Sequence, residues 1–152
     1  MLDQQLDHAW ITAHIPHQGS MCLLDSVQTW NQESILCVAT SHGAADNPLR
    51  AHNRLGIACG IEYAAQAMAV HGALLAPIDS TRPKVGYLVS VRGVTMFVNR
   101  LDNITADLQV SATCIMASET NMLYEFSISA GDQCLLQGRA AVMLDADALQ
   151  LI

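Results

Sequence analysis

Charged residues are scarce in this chain of 152 residues, at 14%, whereas apolar residues make up 51%. A small domain has a large share of surface to keep hydrated, so this composition does not suit a small monomer. It predicts a partner that covers an apolar surface, and a homodimer is the simplest form of such an assembly. The length predicts one domain, residues 1–152, with enough chain to bury a core.

Several patterns that define other classes of protein are missing. The N-terminal segment MLDQQLDHAW has no basic region followed by an apolar run, so we expect no secretory signal peptide. The five cysteines form no CxxC pair, which predicts small core residues in a reducing cytoplasm and neither a disulfide framework nor a zinc site. No HxxxH or HxH spacing indicates a metal site, and no GxSxG motif indicates a serine nucleophile.

The net charge of −7 argues against nucleic-acid binding. Basic residues are nevertheless concentrated, because six of the seven lie between positions 50 and 100, where Glu62 and Asp79 are the only acids. These six residues are Arg50, Arg54, Arg82, Lys84, Arg92 and Arg100. They are either solvated surface residues or a basic patch that receives one anionic partner.

Hydrophobic patterning predicts two helices and a set of antiparallel strands. The helices are a short one at 4–14 and a long one at about 57–76, and 42–56 is a Gly/Asn/Pro-marked loop. Strand-like runs occupy 34–41, 84–98, 104–119, 122–130 and 134–144, and AGDQ at 130–133 is a hairpin turn. Because the long helix is apolar nearly all round, the sheet must wrap it, which makes the fold class α+β.

The long helix, with GIEYAAQAMAVHGALL at 60–75, is long enough to raise the question of a membrane span, but its ionisable and polar residues favour a buried core helix. Its most informative residue is Glu62. A carboxylate in so apolar a helix either complements the helix dipole or serves chemistry. Gln66 lies one turn later on the same face, whereas His71 points to the opposite side.

Three stretches of the sequence resemble a known family. IPHQGSMCLLDSV, followed by GIEYAAQAMA and GYLVSVRGVTM, is similar to the hot-dog fold 3-hydroxyacyl-acyl carrier protein dehydratases, and most of all to the divergent branch from aryl-polyene-type lipid clusters. The resemblance spans about 12–144. It implies an antiparallel sheet wrapped round one long helix, two protomers that share a continuous sheet, and active sites at their interface. Residues 86–98 are the candidate for the shared edge.

The resemblance also implies catalytic residues. Glu62 matches the acid of the family's central helix, and Gln66 matches the glutamine that follows it. The HFPG motif of the better-known dehydratases is absent, since RAHNRLG stands in its region. His17 of the shared PH motif is therefore the favoured imidazole, and His52 is the alternative.

The implied reaction removes a proton next to the thioester carbonyl and expels the 3-hydroxyl group as water. A neutral His17 suits the base, and a protonated Glu62 suits the acid. Backbone N–H groups around Gly56 and Ile57 would stabilise the enolate oxygen, and Gln66 would contact the ligand. No metal or organic cofactor is expected.

The expected partners are an acyl carrier protein that brings the substrate, a second copy of the chain, or a different dehydratase in a heteromer. The expected location is the cytoplasm. An acyl thioesterase of the same fold and a non-catalytic subunit that pairs with an active dehydratase remain the alternative functions.

Overall fold

The computed structural model describes residues 6–76 and 87–143, which form one six-stranded sheet and two α-helices. The helices are α1 (His8–His14) and α2 (Gly60–Leu75), and short 3-10 helices occupy Gly19–Met21, Ser41–Gly43 and Ile57–Cys59. The strands are β1 (Ser26–Trp30), β2 (Ser34–Ala39), β3 (Tyr87–Met96), β4 (Leu108–Ala117), β5 (Asn121–Ala130) and β6 (Gln133–Met143). This confirms the expected α+β hot-dog arrangement.

The sheet is antiparallel throughout, with strand order β1-β2-β4-β5-β6-β3. Strand β5 shows why the pattern predicted it, because Met122, Tyr124, Phe126 and Ile128 alternate into the core while the residues between them do not. The predicted hairpin turn is confirmed: Gly131, with φ +58°, lies between the paired ends of β5 and β6. A left-handed conformation at this position favours glycine.

Helix α2 lies against the inner face of the sheet and runs opposite to β5. At its first residue, Gly60, an added Cβ would lie 2.7 Å from Leu136 Cδ2 and 2.9 Å from Ile128 Cδ1, so only glycine permits this close approach. Near its end, the ring of His71 meets the hydroxyl of Tyr124. These two contacts fix the direction of the helix across the strands.

Two elements differ in detail from the sequence expectations, and part of a third lies outside the described residues. The long helix was expected from 57, but its first turn, Ile57–Cys59, is a 3-10 helix and α2 begins at Gly60. Strand β1 was not predicted, because SVQTW at the edge of the sheet is largely exposed and lacks a buried alternation. The first part of the predicted strand 84–98 lies outside the described residues.

Strand β3 forms the open edge of the sheet in the described chain. It pairs with β6 on one side only, and it exposes Tyr87, Leu88 and Val89 together with Met96. The opposite edge is different, because residues 6 and 7 cover β1 through a bond from the Val27 N–H to the Leu6 carbonyl. An uncovered apolar edge strand is a surface on which another chain can add a strand.

No helix within 6–76 or 87–143 is long and apolar enough to cross a membrane. All five cysteines are free thiols, and Cys22 and Cys37 are buried in the core. The same parts of the chain contain no group of histidine, cysteine and acidic residues arranged to hold a metal ion.

Candidate active site

His17 and Glu62 meet in the structure, although 45 residues separate them in sequence. The Nε2 atom of His17 lies 3.1 Å from Oε1 of Glu62. Their side chains are 26% and 34% exposed, so the pair is accessible to a ligand. Glu62 was expected to be buried; it is half-buried because its face of α2 borders an open cavity.

The His17 loop, residues 15–23, is shaped by its own sequence. Helix α1 ends at His14, and Ile15 is extended with φ −118° and ψ 160°, as the residue before a proline prefers. Two residues after His17, Gly19 takes φ +58° and starts the 3-10 helix Gly19–Met21. The proline and the glycine thus turn the chain sharply on either side of the imidazole.

Gln66 fastens the His17 loop to α2. Its Nε2 donates to the Met21 carbonyl at 2.7 Å and to Glu62 Oε1 at 3.2 Å, and its Oε1 accepts the Leu23 N–H at 2.9 Å. The side chain is fully buried, and both of its amide hydrogens are used. Gln66 was predicted to share a helix face with Glu62 and to contact the ligand; the structure shows the bond to Glu62, and the same amide is bonded to the loop.

The two ring nitrogens of His17 have different surroundings. Its Nδ1 is buried and has no partner among the described residues, whereas Nε2 faces Glu62. Nε2 is therefore the ring nitrogen that can exchange a proton with the carboxyl group of Glu62 or with a ligand.

A cavity of about 390 Å³, the α2 cavity, begins at the His17–Glu62 pair. Its lining is apolar apart from a few groups, and it has three sides. The end of α1 and the His17 loop form the first side, and α2 forms the second through Ala65, Met68, Ala69, Gly72 and Ala73. The sheet forms the third side through Tyr87, Leu88, Met122, Tyr124 and Val142. These sheet residues were not predicted as site residues, although the alternation of β5 places Met122 and Tyr124 on the face toward the helix.

Other predicted site residues do not join this pair within the chain. His52 is exposed at the tip of a two-residue turn, where His52 and Asn53 have φ of 53° and 61°. The Ile57 N–H donates to the Asn99 carbonyl at 3.0 Å, so it is not free to bind an enolate oxygen. Gly56 forms a bridge with Arg100 and does not line the α2 cavity.

His71 points away from Glu62, as expected. Its Nε2 faces the Asn31 carbonyl at 2.9 Å, which makes Nε2 the protonated nitrogen, and Nδ1 therefore accepts from the Tyr124 hydroxyl at 2.7 Å. Burial lowers the pKa of His71 and raises the pKa of Tyr124. Both groups are neutral, and Tyr124 contributes to one wall of the α2 cavity.

The basic residues between 50 and 100 are dispersed in the described part of the chain, and none of them lines the α2 cavity. Arg100 pairs with Asp102, and this contact holds the pKa of Asp102 well below its usual range. Arg92 lies opposite Arg139 on the sheet, and Arg50 and Arg54 flank the turn at His52. Arg82 and Lys84 lie outside the described residues.

Solved structures of other proteins share this fold. The dehydratase heterocomplex ApeI:P from Xenorhabdus doucetiae matches with a TM-score of 0.80 at 22% identity, over 93% of this chain and 95% of that chain. An HP0420 homologue from Helicobacter felis matches at 0.62 and 11% identity, over 88% and 86%. The thioesterase HI1161 from Haemophilus influenzae matches at 0.57 and 9% identity, over 78% and 76%.

These identities are low, so the structural matches establish the hot-dog fold alone. No curated protein sequence matches the chain. The family is established by a sequence model described as ApeP-like, ApeP dehydratase, which matches residues 9–152. The chain therefore belongs to the ApeP-like dehydratase family, as the motifs around His17 and Glu62 predicted.

Proposed function

We propose that the protein dehydrates a 3-hydroxyacyl thioester, delivered on an acyl carrier protein, to the trans-2-enoyl thioester. The observation that carries this proposal is the His17–Glu62 contact of 3.1 Å at the opening of an apolar cavity. Dehydration needs one group that accepts a proton and one that donates a proton, close to the same two carbons. The family to which the chain belongs supports the same reaction class.

The proton balance follows from the pair. His17 acts as a neutral imidazole that carries its ring proton on Nδ1, so its Nε2, which faces Glu62, takes the proton from the carbon next to the thioester carbonyl. The bond between the third carbon and its hydroxyl breaks, and protonated Glu62 supplies the proton with which the hydroxyl leaves as water. A proton then returns from His17 to Glu62 across the contact that joins them, and the pair is restored without an outside acid or base.

Gln66 supports this cycle without touching the substrate. Its amide donates a hydrogen bond to Glu62 Oε1, and its other bonds fix the loop that carries His17. Efficient catalysis depends on such fixed placement, because small displacements of the reacting groups lower the reaction rate strongly.

The first experiment is an assay of both directions of the reaction. Purified protein is mixed with a 3-hydroxyacyl thioester and, separately, with the enoyl thioester, while enoyl absorbance and free thiol are both followed. Interconversion without thiol release supports the dehydratase; thiol release identifies a thioesterase instead. No reaction by the chain alone, with activity restored by a second dehydratase subunit, identifies the non-catalytic partner.

Variants then test the residues. We expect Glu62→Gln and His17→Ala each to lose at least about a hundredfold in rate, the usual contribution of acid–base catalysis, and His52→Ala to lose much less. Circular dichroism confirms that the variants fold. An inactive His52 variant beside an active His17 variant would transfer the base role to His52, and a Glu62→Gln variant with more than about a tenth of the wild-type rate would remove Glu62 from the mechanism.

We further propose that β3 joins the sheet of a second hot-dog chain. Its exposed apolar side chains support this, as does the position of Tyr87 and Leu88 in both the edge and the cavity lining. The second chain is another copy in a homodimer; the likeness to the ApeI:P heterocomplex favours a different dehydratase as the alternative. Light scattering of the chain alone, and with a coexpressed dehydratase, distinguishes the two.

A lysine on the edge strand tests the surface directly. Val89→Lys places a charge on the open edge, which disfavours strand pairing, so we expect monomers at micromolar concentration. Met116→Lys is the matched control, because Met116 is also exposed but lies on β4 inside the sheet order. Monomers of the wild-type chain, with or without the second dehydratase, would contradict the proposed assembly.

A further inference from the structure

No contact among the described residues requires glycine at position 72. Gly72 lies inside α2, where glycine is the poorest helix former after proline. It does not have a positive φ, and a Cβ built on it would have no described neighbour within 4 Å, in contrast to the crowded Gly60. The missing side chain instead leaves space in the α2 cavity, which Gly72 lines.

The α2 cavity runs along the helix. Glu62 and Gly72 both line it and are ten residues apart, which corresponds to about 15 Å of helix. Between them the helix presents Ala65 and Ala69, whose short side chains leave the cavity open. A ligand whose reactive end lies at Glu62 can therefore extend along α2 as far as Gly72.

The far end of the cavity is walled by Tyr124 and Met122 from β5. Tyr124 is held in place, because its hydroxyl donates to His71 on the other side of the same helix turn. Its position is thus fixed by two secondary-structure elements and not by the ligand. The polar groups of the wall are satisfied, so its surface suits the end of an apolar chain.

We propose that Gly72 is a specificity-determining residue that lets the α2 cavity accept a medium-chain acyl group lying along α2. This inference rests on the proposed function for the position of the reacting carbons, but the cavity and the open space at Gly72 are independent of that reaction. A side chain at position 72 would shorten the cavity from its far end and leave the His17–Glu62 end unchanged.

The test compares pantetheine thioesters of 3-hydroxybutanoate and 3-hydroxydecanoate. Binding is measured by calorimetry and turnover by enoyl absorbance, for the wild type, Gly72→Ala and Gly72→Leu. We expect Gly72→Leu to lower the ratio of decanoyl to butanoyl affinity by at least about tenfold, since even one methylene in a closed pocket has an effect of that order. Gly72→Ala should lower it less, while its thermal midpoint rises because alanine favours the helix.

Gly43→Leu is the matched control, because Gly43 also has nothing within 4 Å of a built Cβ but is exposed and outside the cavity. An unchanged ratio in the Gly72 variants, or an equal loss on both thioesters, would overturn the inference. So would a change of oligomeric state in Gly72→Leu alone, because a second chain would then occupy this face. Chain-length-dependent binding without dehydration would refute the proposed function and leave the inference standing.

Discussion

Gln66→Leu tests whether one buried amide holds the catalytic pair together. The substitution keeps a side chain of similar volume and removes three hydrogen bonds, to the Leu23 N–H, the Met21 carbonyl and Glu62 Oε1. It leaves the imidazole and the carboxyl group themselves in the chain. A loss of activity therefore comes from the placement of His17 and Glu62 or from the missing hydrogen bond to the carboxyl group.

The effect on stability can be worked from burial. Leu23 is fully buried, so its N–H would be left without a partner, at a cost of about 1–3 kcal/mol. The Met21 carbonyl is half-buried and can be hydrated, so it adds less. For a chain of this length, the loss corresponds to a fall of roughly 2–12 °C in Tm.

The effect on activity is expected to be larger than the effect on stability. Release of the His17 loop by about 1 Å would reduce turnover on the order of a hundredfold, assayed well below Tm, where the variant remains folded. Gln66→Glu is informative as the conservative variant: it keeps an acceptor for Leu23 but loses the donors and places a second carboxylate beside Glu62. We expect it to be impaired as well.

Gln28→Leu serves as the matched control, because Gln28 is exposed on β1. If Gln66→Leu lost stability but kept full turnover, the His17 loop would not need the hydrogen bonds of Gln66 for activity, and the mechanistic role of Gln66 would be refuted. If the Tm did not change at all, the bond to Leu23 would not exist in solution.

Two further predictions concern pH and salt. Burial lowers the pKa of His71, so as the pH falls the unfolded chain binds a proton at this residue before the folded chain does. The free energy of unfolding should therefore decrease below about pH 6.5, and the thermal midpoint of His71→Gln should fall less steeply than that of the wild type over the same range. Parallel pH profiles of the two proteins would contradict this. Replacement of both Arg50 and Arg54 by glutamate should slow turnover of a substrate bound to an acidic carrier protein, most at low salt, but not turnover of a pantetheine thioester. Arg139→Glu should slow turnover of neither substrate. An equal loss on both substrates would make Arg50 and Arg54 ordinary solvated residues.

The elements with strong patterning could be predicted from sequence. Strand β5 alternates between buried and exposed residues for most of its length, and α2 carries a continuous run of apolar and small residues. Both patterns report on burial, which is a local property of each side chain. Strand β1 could not be predicted in this way, because an edge strand with exposed residues leaves little hydrophobic signal.

The contact between His17 and Glu62 was predictable only through family motifs. Spacing placed Gln66 one turn after Glu62, and the hydrogen bond between them confirms that neighbourhood. The bonds of Gln66 to Met21 and Leu23 could not be predicted in this way, because these two residues precede it by more than forty positions and meet the helix only in the folded chain. The Ile57 N–H was misassigned for the same reason, since its acceptor, Asn99, comes from a distant segment.

The half-exposed Glu62 and the cavity have one physical origin in α2. A helix that is apolar all round would normally be packed on every side, and the small side chains at Ala65 and Ala69 and the absent one at Gly72 leave one side unfilled. That space lets water reach the carboxylate and leaves room for an apolar ligand beside it. The apolar residues of α2 therefore have two separate uses in this fold: one side of the helix packs into the core, and another side lines the α2 cavity together with β3, β5 and β6, where the reaction is proposed to occur.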